Sequence, residues 1–257
     1  MPRHARKESA SKMYHVIFRG INKQDIFLDD EDRRKFLMVL LIVKELCGFE
    51  LYSYCLMSNH VHLLIGGVDK QQLAEIIKRI SASYVYWFNK KYNRCGHLFQ
   101  ERFRSEPVDN TSYFLTVIRY ILQNPVKAGL VARAADFPWS SYHEFKNDSP
   151  VISDTDFVLG LFAENKREAL QTFIQFINLP NEDACLEYEE KRGLSDDEII
   201  TCIKRLGLEF PGELKRQEVS RRNFIIKSLN IMNGVSVRQI ARVTGLSKST
   251  IERTLAK

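Results

Sequence analysis

The sequence has few of the features that mark secreted or membrane-embedded proteins. Its five cysteines are odd in number and none forms a Cys-x-x-Cys pair, so neither a disulfide framework nor a zinc ribbon is indicated. No run approaches the roughly 18–20 apolar residues of a membrane span. The first twelve residues are basic and polar and do not predict a secretory signal. These absences favour a reducing, cytoplasmic setting without a membrane partner.

The charge that is present is unevenly distributed along the 257 residues. Residues 1–150 carry 22 Lys and Arg against 16 Asp and Glu, and residues 216–257 carry 9 against 2. Between them, residues 151–215 carry 7 against 14. Basic surfaces attract polyanions, which makes nucleic acid the first candidate partner. A set of solvated surface faces is the alternative, and charge balance does not separate the two.

The chain is organised around two histidines in an apolar, strand-like run, Asn59-His-Val-His-Leu-Leu-Ile65. Because side chains alternate along a strand, His60 and His62 share one face with Leu64. The other face carries Val61, Leu63 and Ile65. Two imidazoles side by side form a rigid nitrogen platform for a metal ion. They are too few by themselves, since structural zinc takes four protein ligands and catalytic zinc three.

A helix that precedes Pro125 offers the missing groups. Tyr120 and Asn124 are four residues apart and therefore lie on one helical face. Asn124 can give an amide oxygen to a metal, and Tyr120 a phenol beside it. Mixed nitrogen and oxygen ligands with open positions suit Mg²⁺ or Mn²⁺ acting on a phosphate. Free tyrosine has a pKa of about 10, so a nucleophilic Tyr120 needs a cation or precise positioning.

The order of predicted elements indicates the fold class. Strands are predicted at residues 14–19, 49–57, 60–65 and 98–107, with helices after the first, third and fourth strands; the last of these helices is stopped by Pro125. This β-α-β-β-α-β-α order predicts an α+β fold, a ferredoxin-like antiparallel sheet with helices on one face. The second face, which would carry the histidines, is expected to stay open to a partner.

Composition divides the chain into three predicted parts: a catalytic domain at residues 1–148, an acidic helical linker at 149–193 and an all-α domain at 194–257. The last part contains a predicted helix-turn-helix, with a turn at Gly245. Four residues of its second helix are predicted to face DNA: Lys248, Ser249, Thr250 and Arg253. A plain helical hairpin used for packing is the alternative.

In combination these motifs resemble the single-tyrosine transposases of the His-hydrophobic-His (HUH) endonuclease superfamily, in particular the REP-associated tyrosine transposases. The resemblance covers about residues 10–145 and rests on Phe18-Arg-Gly20, Asn59-His-Val-His-Leu-Leu64, Phe99-Gln-Glu-Arg-Phe-Arg-Ser105, Tyr120-x-x-x-Asn-Pro-Val-Lys-Ala-Gly-Leu130 and Pro138-Trp-Ser-Ser-Tyr142. It implies a divalent metal held by His60, His62 and Asn124. It also implies Tyr120 as the nucleophile that forms a 5′-phosphotyrosine on hairpin-flanked single-stranded DNA. The remaining residues, about 110, depart from the family's minimal pattern.

The function expected is therefore a metal-dependent endonuclease and strand transferase for single-stranded DNA, a transposase that uses Mg²⁺ or Mn²⁺. Arg19, Arg102 and Arg104 lie on predicted strands and are candidate phosphate contacts, although a basic sheet face serves the same end less specifically. Hairpin DNA is expected at the catalytic domain and duplex DNA at the C-terminal domain. A homodimer and a nucleoid-associated location complete these expectations.

Three alternatives stay open. One is a domesticated, non-catalytic DNA-binding regulator that uses its helix-turn-helix, and another is a zinc hydrolase that uses the histidine pair. Tyr113, seven residues before Tyr120, is the alternative nucleophile, although its context favours packing against the sheet. His15 and His97 are considered as further ligands and interpreted as ordinary polar or core histidines.

Overall fold

The chain forms two compact units, Met1–Glu187 and Tyr188–Lys257. The structure is a computed structural model and describes residues 6–100, 102–149, 151–187, 194–232 and 235–256. Residues 149–187, which the sequence assigned to a separate acidic linker, lie within the first unit. The rest of that linker, residues 188–193, lies outside the described residues. The three-part division of the chain stays a prediction.

A four-stranded antiparallel sheet is the centre of the first unit and confirms the predicted α+β, ferredoxin-like class. The strand order is β2-β3-β1-β4, and the strands are β1 Tyr14–Arg19, β2 Glu50–Leu56, β3 His60–Gly66 and β4 Arg104–Pro107. The interior strands β1 and β3 pair with each other, and β3 also pairs with β2. The observed β4 is shorter than the strand predicted at 98–107; upstream of it, Phe99 forms an isolated bridge with Gly20.

Two long helices cover one face of the sheet, as predicted: α1 Asp30–Cys47 and α2 Lys70–Lys91. Each begins at an aspartate, Asp29 or Asp69, whose side chain accepts hydrogen bonds from backbone N–H groups of the first turn. Such capping satisfies donors that would otherwise lack a partner. Aliphatic residues of β3 on this face, including Leu63, are fully buried against the two helices.

The second face of the sheet is also covered, so the expectation that it stays open is wrong. The covering helices are α3 Thr111–Lys127, α4 Tyr142–Lys146, α5 Thr155–Gly160 and α6 Lys166–Asn178. Tyr52, Cys55 and Leu64 present apolar surface on this face and are buried in the same cluster as α3. Burial of such surface stabilises the fold by about 25 cal/mol per Å².

Helix α3 begins after the cap Asn110, but it does not stop at Pro125. It runs to Lys127, although a proline ring removes one helical hydrogen bond and crowds the carbonyl four residues earlier, and both Asn124 and Pro125 are buried in it. Just past the helix end, the N–H of Ala128 bonds to the carbonyl of Asn124 at 2.9 Å. Asn124 is thereby inside the helix rather than at its frayed end.

The second unit is helical in its described part, with α7 Asp196–Arg205, α8 Val219–Ile231, α9 Val237–Thr244 and α10 Lys248–Leu255. The predicted turn at Gly245 separates α9 from α10. Gly245 ends α9 with a positive φ of 69°, a conformation that favours glycine. Ile240 and Ile251 are fully buried and pack α9 and α10 in one core. None of the described helices is long and apolar enough to cross a membrane.

The first unit should depend strongly on Phe36 of α1, which is fully buried against the rings of Phe27 and Tyr84 at 5.5 and 5.2 Å. We expect Phe36→Ala to lower the free energy of unfolding by about 3–5 kcal/mol. Met38→Ala, at a position of the same helix that is 53% exposed, should change it by less than about 0.5 kcal/mol. Urea unfolding followed by tryptophan fluorescence measures both, since Trp87 and Trp139 lie in this unit. Equal effects of the two substitutions would contradict this packing.

Candidate active site

Strand β3 holds the two histidines on the face opposite Val61, Leu63 and Ile65, as predicted. Val61 and Leu63 are fully buried towards α1 and α2. His62 is 1% exposed on the other face, and His60 is half-buried beside it. The two rings meet edge to face with their centroids 4.9 Å apart. Since β3 is paired along both edges, the imidazoles are mounted on a rigid part of the sheet.

Helix α3 crosses this histidine-bearing face and brings Tyr120 and Asn124 to it. Both side chains are nearly buried, at 2% and 9% exposure. The side-chain amide nitrogen of Asn124 lies 3.2 Å from Nε2 of His62, and the Tyr120 ring lies 5.7 Å from the His62 ring. The strand and the helix, about 60 residues apart in sequence, therefore form one site.

Both imidazoles are kept neutral. Burial, with a smaller contribution from the nearby Arg19 guanidinium, lowers the pKa of His60 to about 4. Burial, with smaller effects of His60 and His15, lowers the pKa of His62 well below its ordinary value. Neutral imidazole is the form that binds metal ions, so protons do not compete for these nitrogens near neutral pH.

The donor set fits a divalent cation in its chemistry. Nδ1 of His60 lies 2.7 Å from the side-chain oxygen of Asn59, which can only accept, so Nδ1 carries the hydrogen and Nε2 keeps its lone pair; the Asn124 side chain also bonds to His60. With Nε2 of His62 and the amide of Asn124, the site offers two nitrogens and one amide oxygen. Within the described residues there is no group of three or more His, Cys, Asp or Glu side chains that could hold a metal. The candidate cation site has the amide of Asn124 as its third ligand, in place of a His, Cys, Asp or Glu side chain.

The phenol of Tyr120 is held in its protonated form. Its oxygen donates a hydrogen bond to the carboxylate of Glu187. Burial, followed by the bond to Glu187 and the charge of that carboxylate, raises the pKa of Tyr120 above its ordinary value. The ammonium of Lys127 lies 4.9 Å from the centre of the ring on the same helix. A nucleophilic Tyr120 therefore needs further positive charge at its oxygen.

Residues 181–187, which the sequence treated as part of a charged linker, lie against α3 at this site. Arg119 forms a two-pronged ion pair with Asp183 at 2.6 and 2.9 Å, and Lys127 donates to the Asp183 carbonyl at 2.9 Å. Arg104 donates to the Glu187 carbonyl at 3.2 Å. The segment thus places the carboxylate of Glu187 beside the phenol of Tyr120.

The other predicted site residues are brought together only in part. Arg19 lies beside His60 and Arg104 borders segment 181–187, so both are near the site. Arg102 instead lines a groove on the α2 side of the sheet with Phe103 and Arg6. In the second unit, three of the predicted DNA-facing side chains of α10 are exposed, namely Lys248, Ser249 and Arg253. The fourth, Thr250, is half-buried. Their roles stay predictions.

Three residues at the site were not assigned to it from the sequence: His15, Glu106 and Glu187. His15 is fully buried on β1, and its ring nitrogens contact Glu106 and His62. Tyr113, the alternative nucleophile, hydrogen-bonds to Glu106. The sequence did contain one signal for His15, because a histidine inside a strand-like run needs polar partners when buried. Its partners depend on strand pairing, which the sequence does not display.

Comparison with known proteins finds similarity to transposases. Residues 8–124 match the family described as "Transposase IS200 like". A Haemophilus influenzae protein that carries the provisional name REP-associated tyrosine transposase is 30% identical over 112 residues; the match covers 37% of this chain and 60% of the relative's own length. A solved structure of a REP-associated tyrosine transposase bound to a REP hairpin covers 76% of this chain and all of that chain, with a TM-score of 0.53 and 19% identity. At 19% identity, this structural likeness shows a shared fold and nothing further.

The contact between Tyr120 and Glu187 generates a prediction about acidity. Glu187→Gln removes a negative charge next to the phenol, so the pKa of Tyr120 should fall. Glu182→Gln, which removes an exposed carboxylate from the same segment, should leave it unchanged. Titration of ¹³C-labelled tyrosine followed by NMR measures the pKa directly. An identical response of Tyr120 in both variants would mean that the carboxylate of Glu187 does not contact it.

Proposed function

We propose that the protein is a transposase that cuts and rejoins single-stranded DNA through Tyr120, and the match of residues 8–124 to the family described as "Transposase IS200 like" supports this proposal. The observation that carries the proposal is the meeting of β3 and α3. It brings His62 within 3.2 Å of Asn124, with Tyr120 one helical turn away. DNA hairpins are the proposed substrate class, supported by the hairpin bound to the structural relative.

His60, His62 and Asn124 are the residues that would hold a divalent cation, Mg²⁺ or Mn²⁺. The low pKa of His60 and the burial of His62 keep their nitrogens available, and the Asn124 amide supplies an oxygen donor. A bound cation supplies positive charge that polarises a phosphate and favours the phenolate form of a nearby tyrosine. The raised pKa of Tyr120 is the reason why such charge is needed.

In the proposed reaction, Oη of Tyr120 attacks the phosphorus of the scissile phosphodiester. A bond forms between Oη and phosphorus as the bond from phosphorus to the 3′ oxygen breaks. The phenol loses its proton and the leaving 3′ oxygen takes one up, so the products are a 5′-phosphotyrosine and a free 3′ hydroxyl with no net change in protons. The covalent bond conserves the energy of the phosphodiester, so a 3′ hydroxyl can later reverse the step and join the strands.

DNA has to compete with segment 181–187 to reach Tyr120. The carboxylate of Glu187 already occupies the hydrogen-bonding position at the phenol, and like charges repel a phosphate there. Arg19 beside His60 and Arg104 at the segment are the nearest cationic side chains among the predicted phosphate contacts. We propose that they receive DNA phosphates once the segment is displaced.

The nucleophile is tested with a hairpin carrying a single-stranded flank, incubated with full-length protein and Mn²⁺. We expect an adduct between protein and DNA that resists denaturation, and Tyr120→Phe should abolish it because the attacking oxygen is gone. Tyr113→Phe is the matched control and should retain the adduct, since Tyr113 bonds to Glu106 instead. Gel electrophoresis under denaturing conditions measures the yield.

Two outcomes would contradict the proposal. Loss of the adduct in Tyr113→Phe alone would transfer the nucleophile to Tyr113. Absence of an adduct with wild-type protein on hairpins of varied sequence would favour the non-catalytic DNA-binding regulator.

For the second unit we propose duplex DNA binding by α10, supported by its exposed Lys248, Ser249 and Arg253 and by the basic charge of residues 216–257.

Arg253→Gln should weaken binding and reduce the slope of log affinity against log salt by about 1, the value expected for the loss of one phosphate contact. Lys204→Gln removes the same charge from α7 and should leave the slope unchanged. Fluorescence anisotropy across a salt series measures it. Equal slopes in both variants would contradict recognition by α10.

A further inference from the structure

A buried chain of hydrogen bonds runs across the sheet behind the candidate metal ligand His62. On β1, His15 lies diagonally across from His62 on the same face, because His15 pairs with Leu64 and His62 pairs with Ile17. Nε2 of His15 is 3.1 Å from Nδ1 of His62, and the two rings lie nearly parallel with centroids 5.3 Å apart. Both side chains are buried, at 0% and 1% exposure.

The chain continues to an acidic residue on the edge strand. His15 pairs in register with Glu106 of β4, and Nδ1 of His15 is 2.8 Å from a carboxylate oxygen of Glu106. That oxygen also accepts a hydrogen bond from the backbone N–H of Leu186 at 2.9 Å, and Tyr113 bonds to the same carboxylate. Glu106 is therefore held in place from three sides.

The polarity of this chain determines which nitrogen of His62 is free. A carboxylate only accepts, so Nδ1 of His15 carries the hydrogen that it donates to Glu106. Nδ2 of Asn124 can only donate and faces Nε2 of His62, so Nδ1 of His62 carries the hydrogen of that ring and donates it to Nε2 of His15. Nε2 of His62 is left without a hydrogen, and the amide nitrogen of Asn124 faces it at 3.2 Å as a donor would.

We propose that His15 and Glu106 are positioning residues that fix the tautomer and the ring orientation of His62, so that its Nε2 lone pair points into the ligand position. This inference rests on the proposed function and assigns a role to two residues outside the ligand set. His60 is oriented differently, by its sequence neighbour Asn59 at 2.7 Å. The two ligands thus depend on separate supports, one local and one that spans three strands.

Removing the support of His62 should weaken metal binding. Loss of an outer-shell partner of a histidine ligand typically costs about 10–100-fold in metal affinity. His15→Phe keeps a ring in the buried site and removes the acceptor, so we expect the affinity of the full-length protein for Mn²⁺ to fall by about that factor. His15→Gln keeps an acceptor near the position of Nε2 and should restore affinity to within a few-fold of wild type. Isothermal titration calorimetry measures both.

His97→Phe is the matched control, since it makes the same exchange at an exposed histidine. Its affinity for Mn²⁺ should equal that of wild type. Circular dichroism identifies variants that fold. A folded His15→Phe protein that binds Mn²⁺ as tightly as wild type, or a His15→Gln protein no better than His15→Phe, would overturn the proposal.

A second measurement needs no substitution and no metal. Long-range ¹H–¹⁵N NMR of the metal-free, wild-type protein distinguishes protonated from bare ring nitrogens. We expect Nδ1 of His62 and Nδ1 of His15 to carry the hydrogens and both Nε2 atoms to be bare. A hydrogen on Nε2 of His62 would overturn the proposed hydrogen-bond chain from Glu106 through His15 to His62, even if Mn²⁺ binds. If wild type binds no Mn²⁺ while the NMR result is as expected, the metal site of the proposed function fails and the hydrogen-bond chain is supported.

Discussion

The alternation of side chains along β3 is the constraint on which the rest of the site depends. This strand is interior, with β1 on one edge and β2 on the other, so its register is fixed by hydrogen bonds to both neighbouring strands. Val61, Leu63 and Ile65 are completely buried under α1 and α2. A slip of one residue would expose these three to the opposite face and bury the histidines in the aliphatic core. The hydrophobic effect that forms the core therefore also positions the imidazoles.

Closure of the second face by α3 determines the chemistry of the site. The same burial has opposite consequences for the two kinds of group, because it disfavours whichever form is charged. It keeps His60 and His62 neutral, which is the form that binds metal, and it keeps Tyr120 protonated, which is the unreactive form. A cation at the imidazoles would resolve this conflict. While segment 181–187 is in place, the carboxylate of Glu187 raises the pKa of Tyr120 further and so favours the unreactive phenol.

The sequence was sufficient for features that depend on local pattern. The faces of β3, the shared helical face of Tyr120 and Asn124 and the boundaries of α9 and α10 follow from periods of two and of 3.6 residues and from the glycine at position 245. The sheet class followed from the order of these elements. Each of these predictions needs information from a few neighbouring residues only.

The features that the sequence did not predict arise from contacts between distant residues. The covered second face depends on four helices that lie beyond the sheet in sequence, and the contact of Tyr120 with Glu187 joins residues 67 apart. The pairing of His15 with both Glu106 and His62 depends on the strand order β3-β1-β4. The prediction that α3 ends at Pro125 is wrong because it used local preference alone. The tendency of proline to end a helix is outweighed by the packing of the last turn of α3.

The central claim is that β3 and α3 together form a cation site with an imidazole nitrogen from each of His60 and His62. Electron spin-echo spectroscopy of Mn²⁺ bound to full-length protein with ¹⁵N-labelled histidine tests it most directly. The account predicts couplings to two histidine nitrogens in wild type, and to one after His60→Ala. Bound Mn²⁺ without any histidine coupling, or couplings unchanged by that substitution, would contradict it.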